Sequence, residues 1–262
     1  MNEMNLSGQV ALVTGSSRGL GRHYALHLAR AGADVIIHDV NAMAAAQFGE
    51  AASGVAVAEE IRSLGRRSAF LTADLTDPEQ IEKFAQRAIA QFGHIDILVN
   101  NAGGDIGANS PRPDPNNALD IKVEDIRNVL DVNLLNVMCM CKYVGSHMRE
   151  RRRGKIINVG SAAAHYPTTV GVIYASAKAG IAHYTRCLGE QMRPYEVNVN
   201  CIAPAATSTG RFKATRVADD HLAFEGSRLE KVAQPEDMAK IVLFLAGPAS
   251  DYLTGETIVC HH

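Results

Sequence analysis

Two residues four apart, Tyr174 and Lys178, bound the stretch Tyr174-Ala175-Ser176-Ala177-Lys178. The apolar run that continues through Ile181, Tyr184 and Leu188 predicts a helix opening at Tyr174. Residues i and i+4 share a helix face, so the phenol and the ammonium point into the same space. A free tyrosine, with a pKa of about 10, is a poor base at neutral pH. A cation beside it favours the phenolate. A tyrosine so tuned can give a proton to a carbonyl oxygen or take one from an alcohol. The same spacing also describes an ordinary amphipathic pair, so the rest of the chain must decide.

A second group lies near the start. Gln9-Val10-Ala11-Leu12-Val13 reads as a short buried strand running into Thr14-Gly15-Ser16-Ser17-Arg18-Gly19-Leu20-Gly21, and an amphipathic helix follows through Ala31. A strand, a glycine-rich turn and a helix N-terminus make a pyrophosphate site, because free N–H groups and the helix dipole favour an anion. The spacing of Gly15, Gly19 and Gly21 departs from G-x-G-x-x-G. Asp39 ends the second apolar run, Asp34-Val35-Ile36-Ile37-His38, roughly 20 residues past the glycines. An acid there is placed for the adenosine ribose hydroxyls, and its charge repels a 2′-phosphate. Arg18 is the competing signal, since it could accept that phosphate. Asp39 outweighs it, which predicts NAD, with NADP as the alternative. Ser161 follows the strand Lys155-Ile156-Ile157-Asn158-Val159, at the carboxyl end where open parallel sheets bind ligands.

The elements that must position these residues alternate along the chain. Strands are predicted at 9–13, 34–38, 68–71, 95–99, 155–159, 197–202 and 256–259. Helices are predicted at 55–64, then from the Asp77 cap and Pro78 to Phe92, unbroken over 123–149 carrying Asn133, and at 235–246. The alanine-rich 40–54 reads as a loop or short helix. The turn Asn100-Asn101-Ala102-Gly103-Gly104 leaves room beside a flat ring. The 105–120 loop, with Pro111, Pro113 and Pro115, is long for such a connection. The basic run 149–153 reads as a solvated helix end. Segment 203–233 has weak periodicity, carries Arg211, Lys213 and Arg216, and reads as a mobile lid, about 205–232. The pattern predicts one α/β domain over 1–262: a Rossmann-type, doubly wound parallel sheet of about seven strands with helices on both faces.

Composition excludes several classes. The net charge of -2 implies no attraction to nucleic acid or an anionic membrane. No apolar run reaches membrane-span length, and residues 1–8 lack a signal-peptide pattern. Five cysteines, mostly in apolar segments, predict reduced, buried thiols in a cytoplasmic protein. No cluster has zinc spacing, so no metal is expected.

Taken together, Thr14 to Gly21, Asp74, Asn100 to Gly103, Asn133 with Ser161, and Tyr174 with Lys178 resemble the short-chain dehydrogenase/reductase family over nearly the whole chain. The resemblance implies Tyr174 as acid/base, Lys178 as the residue that tunes it and binds the nicotinamide ribose, and Ser161 as donor to the substrate oxygen. It implies that Asn133 holds a water in the proton relay. The implied cofactor set is Gly15, Ser17, Arg18, Gly19, Leu20, Asp39, Asp74, Leu75, Asn101, Ala102, Gly103, Pro204, Thr207 and Thr209, with Tyr174 and Lys178. Asp74 would meet the adenine amino group and Thr209 the nicotinamide carboxamide. The sequence departs from the family with Pro204-Ala205 in place of Pro-Gly, which questions the backbone's approach to the nicotinamide. It departs again with Cys260-His261-His262 near the end, read as a tail. The expectation is an NAD-dependent interconversion of a secondary alcohol and a ketone by a homotetramer, on a small polar substrate such as a sugar, polyol or hydroxy acid. An NADP(H)-dependent 3-oxoacyl-carrier-protein-type reductase and a non-catalytic nucleotide-sensing scaffold are the alternatives.

Overall fold

The computed structural model describes residues 4–216, 225, 227 and 231–260. At its centre is a seven-stranded parallel sheet in the order β3-β2-β1-β4-β5-β6-β7. The strands are β1 (Val10–Val13), β2 (Asp34–Asp39), β3 (Ser68–Thr72), β4 (Ile97–Asn100), β5 (Gly154–Val159), β6 (Val197–Ala203) and β7 (Thr257–Val259). The central strands are apolar on both faces because helices cover both sides. Ala11, Val13, Val35 and Ile37 pack with α1 (Gly19–Arg30), α2 (Gly54–Ser63) and α8 (Pro235–Ala246). Val10, Leu12, Ile36 and Leu98 face α3 (Pro78–Phe92), α5 (Asn136–Arg151) and α6 (Val172–Met192). One-residue alternation along each strand thus divides the apolar side chains between two cores.

The order reverses between β1 and β4. The chain runs outward from β1 to β3 and then returns to start β4 on β1's other side. The connections leave these two strands in opposite directions, which opens a crevice at their carboxyl ends.

The helix predicted over 123–149 is interrupted. It divides into α4 (Val123–Leu130), a π-helical turn at Asp131–Leu135 and α5. Helical periodicity is nearly the same on both sides of one wide turn, which is why the break is invisible in the sequence. Helix α6 starts at Val172, two residues before Tyr174, behind Gly171 at φ +74°. Strand β4 is shorter than predicted because Asp96 serves a different end. Its buried carboxylate accepts from the Val10 N–H at 3.0 Å and from Arg151 at 2.9 Å. Arg151 also donates to the Ile95 carbonyl. Arg151 is therefore a partly buried clamp, while the rest of the run 149–153 is exposed at the helix end as expected. The thiol expectation also needs amendment: all five cysteines are free, but Cys187 is exposed and Cys139 only half-buried.

Segment 40–54 holds a short 3₁₀ turn, Ala44–Phe48. The proposed lid begins with α7 (Gly210–Arg216), whose first turn is capped by Thr209 Oγ1 accepting from the Phe212 N–H at 3.2 Å. Most of the remaining lid, including Asp219 and Asp220, and the terminal His261 and His262 lie outside the described residues, as does the Arg216 side chain. Among the described residues no helix is long and apolar enough to cross a membrane, and no group of His, Cys, Asp and Glu could hold a metal ion.

Candidate active site

A cavity of about 970 Å³ lies along the carboxyl ends of the strands. Its floor is built by hydrogen bonds between the turns after β1 and β4. Thr14 Oγ1 accepts from the Asn101 and Ala102 N–H groups, each at 3.0 Å. Asn101 Nδ2 donates back to the carbonyls of Thr14 and Gly15 at 3.0 and 2.9 Å. The contact demands glycine at two places. Gly15 adopts φ +60°, and a Cβ there would meet Ala102 Cα at 2.9 Å. A Cβ on Gly21 would lie 2.2 Å from the Gly15 carbonyl oxygen. These glycines let the turn after β1 pack against the turn after β4 and against itself.

One end of the cavity is lined by Gly15, Arg18, Gly19, Leu20, Asp39, Asp74 and Leu75. Ser17 is buried and does not line it. Its hydroxyl instead donates to Asp39 Oδ2, while Asp39 Oδ1 accepts from the Val40 N–H. Each carboxylate oxygen keeps acceptor capacity for a further hydroxyl. Arg18 lies over the Phe48 ring at 4.8 Å, and its buried Nε has no hydrogen-bond partner. Asp74 Oδ1 accepts from the N–H and hydroxyl of Thr76 at 2.9 and 2.7 Å.

The other end gathers Ser161, Tyr174, Lys178, Pro204, Thr207 and Thr209. Ser161 follows β5 and caps a 3₁₀ turn, its Oγ accepting from the Ala163 N–H at 3.2 Å. Lys178 is buried, and its Nζ donates to the Val159 carbonyl at 2.8 Å. That leaves two of its three donors for other partners. Nζ lies 5.6 Å from the centre of the Tyr174 ring, so the spacing of four does put cation and phenol together. Burial lowers the Lys178 pKa to about 8, partly offset by Cys201.

Asn133 does not line the cavity. It sits in the π turn, fully buried, and holds Gly104 from behind. Its Nδ2 donates to the carbonyls of Gly104 and Val129, both at 2.8 Å, and its Oδ1 accepts from the Gly104 N–H at 2.9 Å. Both amide protons are committed to protein carbonyls. Ala205 lines the cavity without a positive φ, so the alanine in place of glycine imposes no backbone strain. Of the lid cations, Arg211 lines the cavity and Lys213 is exposed away from it.

Several residues at the site went unread in the sequence. Glu50, within the ambiguous alanine-rich segment, accepts from the Gly19 N–H through one oxygen and from the Gly210 N–H through the other. Asp105 is nearly buried and pairs with Arg112 Nε at 3.0 Å and Asn116 Nδ2 at 2.7 Å. Arg211 Nη2 donates to the Asp105 carbonyl at 3.1 Å, tying the lid helix to the 105–120 loop. His38, read only as a strand residue, also lines the cavity. For Glu50 and His38 the missing signal is proximity across more than a dozen residues of sequence, whereas Asp105 finds Arg112 and Asn116 within its own loop.

Comparison with known proteins agrees with this geometry. The short chain dehydrogenase family model matches residues 9–220. The chain is 38% identical to cyclohexanol dehydrogenase of Rhodococcus sp. (strain TK6), covering 98% of this chain and 96% of that protein. It is 33% identical to the 3-oxoacyl-[acyl-carrier-protein] reductase FabG of Vibrio cholerae serotype O1, covering 97% and 96%. The solved structure of 7 alpha-hydroxysteroid dehydrogenase complexed with NADH and 7-oxo glycochenodeoxycholic acid superposes with a TM-score of 0.85 at 29% identity, covering 98% of this chain and 94% of that one. The chain belongs to the short-chain dehydrogenase family. It is an oxidoreductase of the alcohol–ketone class.

Proposed function

We propose that this chain interconverts a secondary alcohol and a ketone with NAD, using Tyr174 as the acid/base. The observation that carries the reading is that one cavity joins Ser161, Tyr174 and Lys178 to the glycine turn, Asp39 and Asp74. The residues fit a dinucleotide. Gly15 and Gly19 line the cavity at the start of α1, where backbone N–H groups would meet a phosphate. The Gly19 N–H already bonds a carboxylate, so the α1 N-terminus accepts an anion. Asp39, oriented by Ser17, would hold the adenosine ribose hydroxyls and repel a 2′-phosphate. Asp74 and Leu75 would flank the adenine, and Pro204, Thr207 and Thr209 the nicotinamide end.

The nicotinamide ring supplies the hydride acceptor or donor. The chain supplies position and proton. Ser161 and Tyr174 donate to the reacting oxygen and stabilise its alkoxide character. Tyr174 gives up or takes the proton, and Lys178 favours its phenolate form. Asn133 acts through Gly104, holding the wall of the cavity beside the Asn101–Gly103 turn.

The substrate end carries Asp105, Arg112 and Arg211, which suits a small polar substrate such as a sugar, polyol or hydroxy acid. A second reading, a cyclic apolar alcohol, is favoured by Pro111, Pro167 and Phe212 in the same wall and by likeness to cyclohexanol dehydrogenase. For the cofactor, the unpartnered Arg18 Nε favours NADP as the second reading. We further infer a homotetramer, a lid over about 205–232, and a cytoplasmic setting that keeps the five free thiols reduced.

The test is a panel of polyols, sugars, hydroxy acids and cyclic alcohols, each with NAD and NADP, followed by absorbance of the reduced cofactor. Turnover of polar alcohols with NAD is expected. Turnover of apolar ketones alone, or a clear NADP preference, overturns the substrate or the Asp39 assignment respectively.

A further inference from the structure

His38 stands near the end of β2, between the turn that follows β1 and the turn that follows β3, and its ring is buried. A buried imidazole is costly unless both nitrogens are hydrogen-bonded, and here both are. Nδ1 lies 3.2 Å from the Gly15 N–H, and Nε2 lies 3.1 Å from the Ala73 carbonyl. The first contact dictates the second. A backbone N–H can only donate, so Nδ1 must accept, and the proton sits on Nε2, where it donates to Ala73. The ring is therefore neutral with one tautomer selected. Phe84 packs against it with ring centres 4.7 Å apart. The His38 backbone adds two bonds to the same turn: its N–H donates to Ser16 Oγ at 3.0 Å, and its carbonyl accepts from the Ser16 N–H at 2.8 Å.

The two ends of the imidazole thus touch two different parts of the cavity. Gly15 belongs to the phosphate turn. Ala73 immediately precedes Asp74, at the adenine end. We propose that His38 is a positioning residue that sets the spacing between these two turns, and through it the affinity for the adenosine diphosphate half of the cofactor. This rests on the dinucleotide reading above. Burial lowers the His38 pKa to about 4, partly offset by the Ala73 bond and Asp39 and reinforced by Arg87, in line with the neutral ring that the two hydrogen bonds require.

Two variants separate the two bonds, because an asparagine amide reaches about as far as Nδ1 and a glutamine amide about as far as Nε2. His38→Asn keeps an acceptor for Gly15 and loses Ala73. His38→Gln keeps a donor for Ala73 and loses Gly15. His38→Phe loses both. NAD binding is measured by calorimetry on the full chain, and steady-state kinetics are measured with NAD varied. The Kd for NAD should rise in all three, most in His38→Phe, on the order of 10-fold. The loss should fall on KM for NAD and not on kcat. In the wild-type protein, ¹⁵N spectra of histidine, assigned by the signal lost in the variants, should show a neutral ring protonated at Nε2 from about pH 6 to 8. Wild-type affinity in His38→Asn and His38→Gln, a fall in kcat as large as the rise in KM, or a ring protonated at Nδ1 would each overturn the proposal. Should His38→Phe fail to fold, the other two variants and the spectrum still decide. Failure of the wild-type protein to bind NAD or NADP would sink the cofactor reading instead, and the ring's tautomer would still report on the pin.

Discussion

At the scale of single residues, the pairing of Tyr174 with Lys178 was legible from spacing because a helix turns the same way everywhere. What Lys178 does with its protons was not. Its bond to the Val159 carbonyl comes from β5, nineteen residues earlier. Tyr174→Phe should lower turnover by about 10²–10⁴-fold while calorimetry shows NAD binding nearly unchanged, since only the proton-transferring oxygen is removed. Near-normal turnover in that variant would exclude the mechanism. His38 makes a second prediction, about stability. Its folded pKa of about 4 lies below the ordinary value of about 6.5. Between these values the unfolded chain binds a proton that the folded chain refuses, so His38's contribution is complete above about pH 6.5 and is lost as pH falls towards 4. Asp39 and Arg87 are the charged groups that modulate it. Urea titrations across that window should show a steeper loss of stability in the wild-type protein than in His38→Asn. Equal slopes would mean that the ring is not held neutral.

At the scale of elements, the seven strands and most of the helices follow from periodicity and caps, such as Asp77 ahead of Pro78. The exceptions are places where a residue serves a distant partner. Asp96 leaves the strand pattern to bind Arg151 and the start of β1. The π turn at Asp131–Leu135 aims Asn133 at Gly104. The segment between β2 and α2 is the clearest case. Its alanine-rich composition hid its purpose, yet Glu50 bridges the first turns of α1 and α7. On the proposed dinucleotide reading, its carboxylate and a cofactor phosphate would compete for the Gly19 N–H. Glu50→Gln removes the charge and keeps the shape, so NAD should bind more tightly, by roughly two- to five-fold. Unchanged or weaker binding in that variant would show that the two anions do not compete.

At the scale of the whole molecule, the sheet order places every chemistry-bearing turn at one edge of the strands. The outward faces of α5 and α6 leave Tyr143, Tyr184 and Leu188 only partly covered. Symmetric pairing of subunits would bury what these side chains still expose. Light scattering at working concentration should give the mass of a tetramer. A stable monomer would refute the assembly.

The amino-acid sequence by itself determined the alternation of strands and helices, the glycine turn, the acid at the end of β2 and the Tyr-Lys pair. Each of these is a local pattern, decided by periodicity, sterics or charge within a few residues of chain. Only the tertiary structure decided that Ser17 serves Asp39, that Asn133 serves Gly104, that Glu50 reaches the glycine turn, and that His38 joins two turns. Hydrogen bonds act over about 3 Å in space, whatever the separation in sequence. The partners that orient a site are chosen by how the strands are ordered, and that order cannot be read within any one of them.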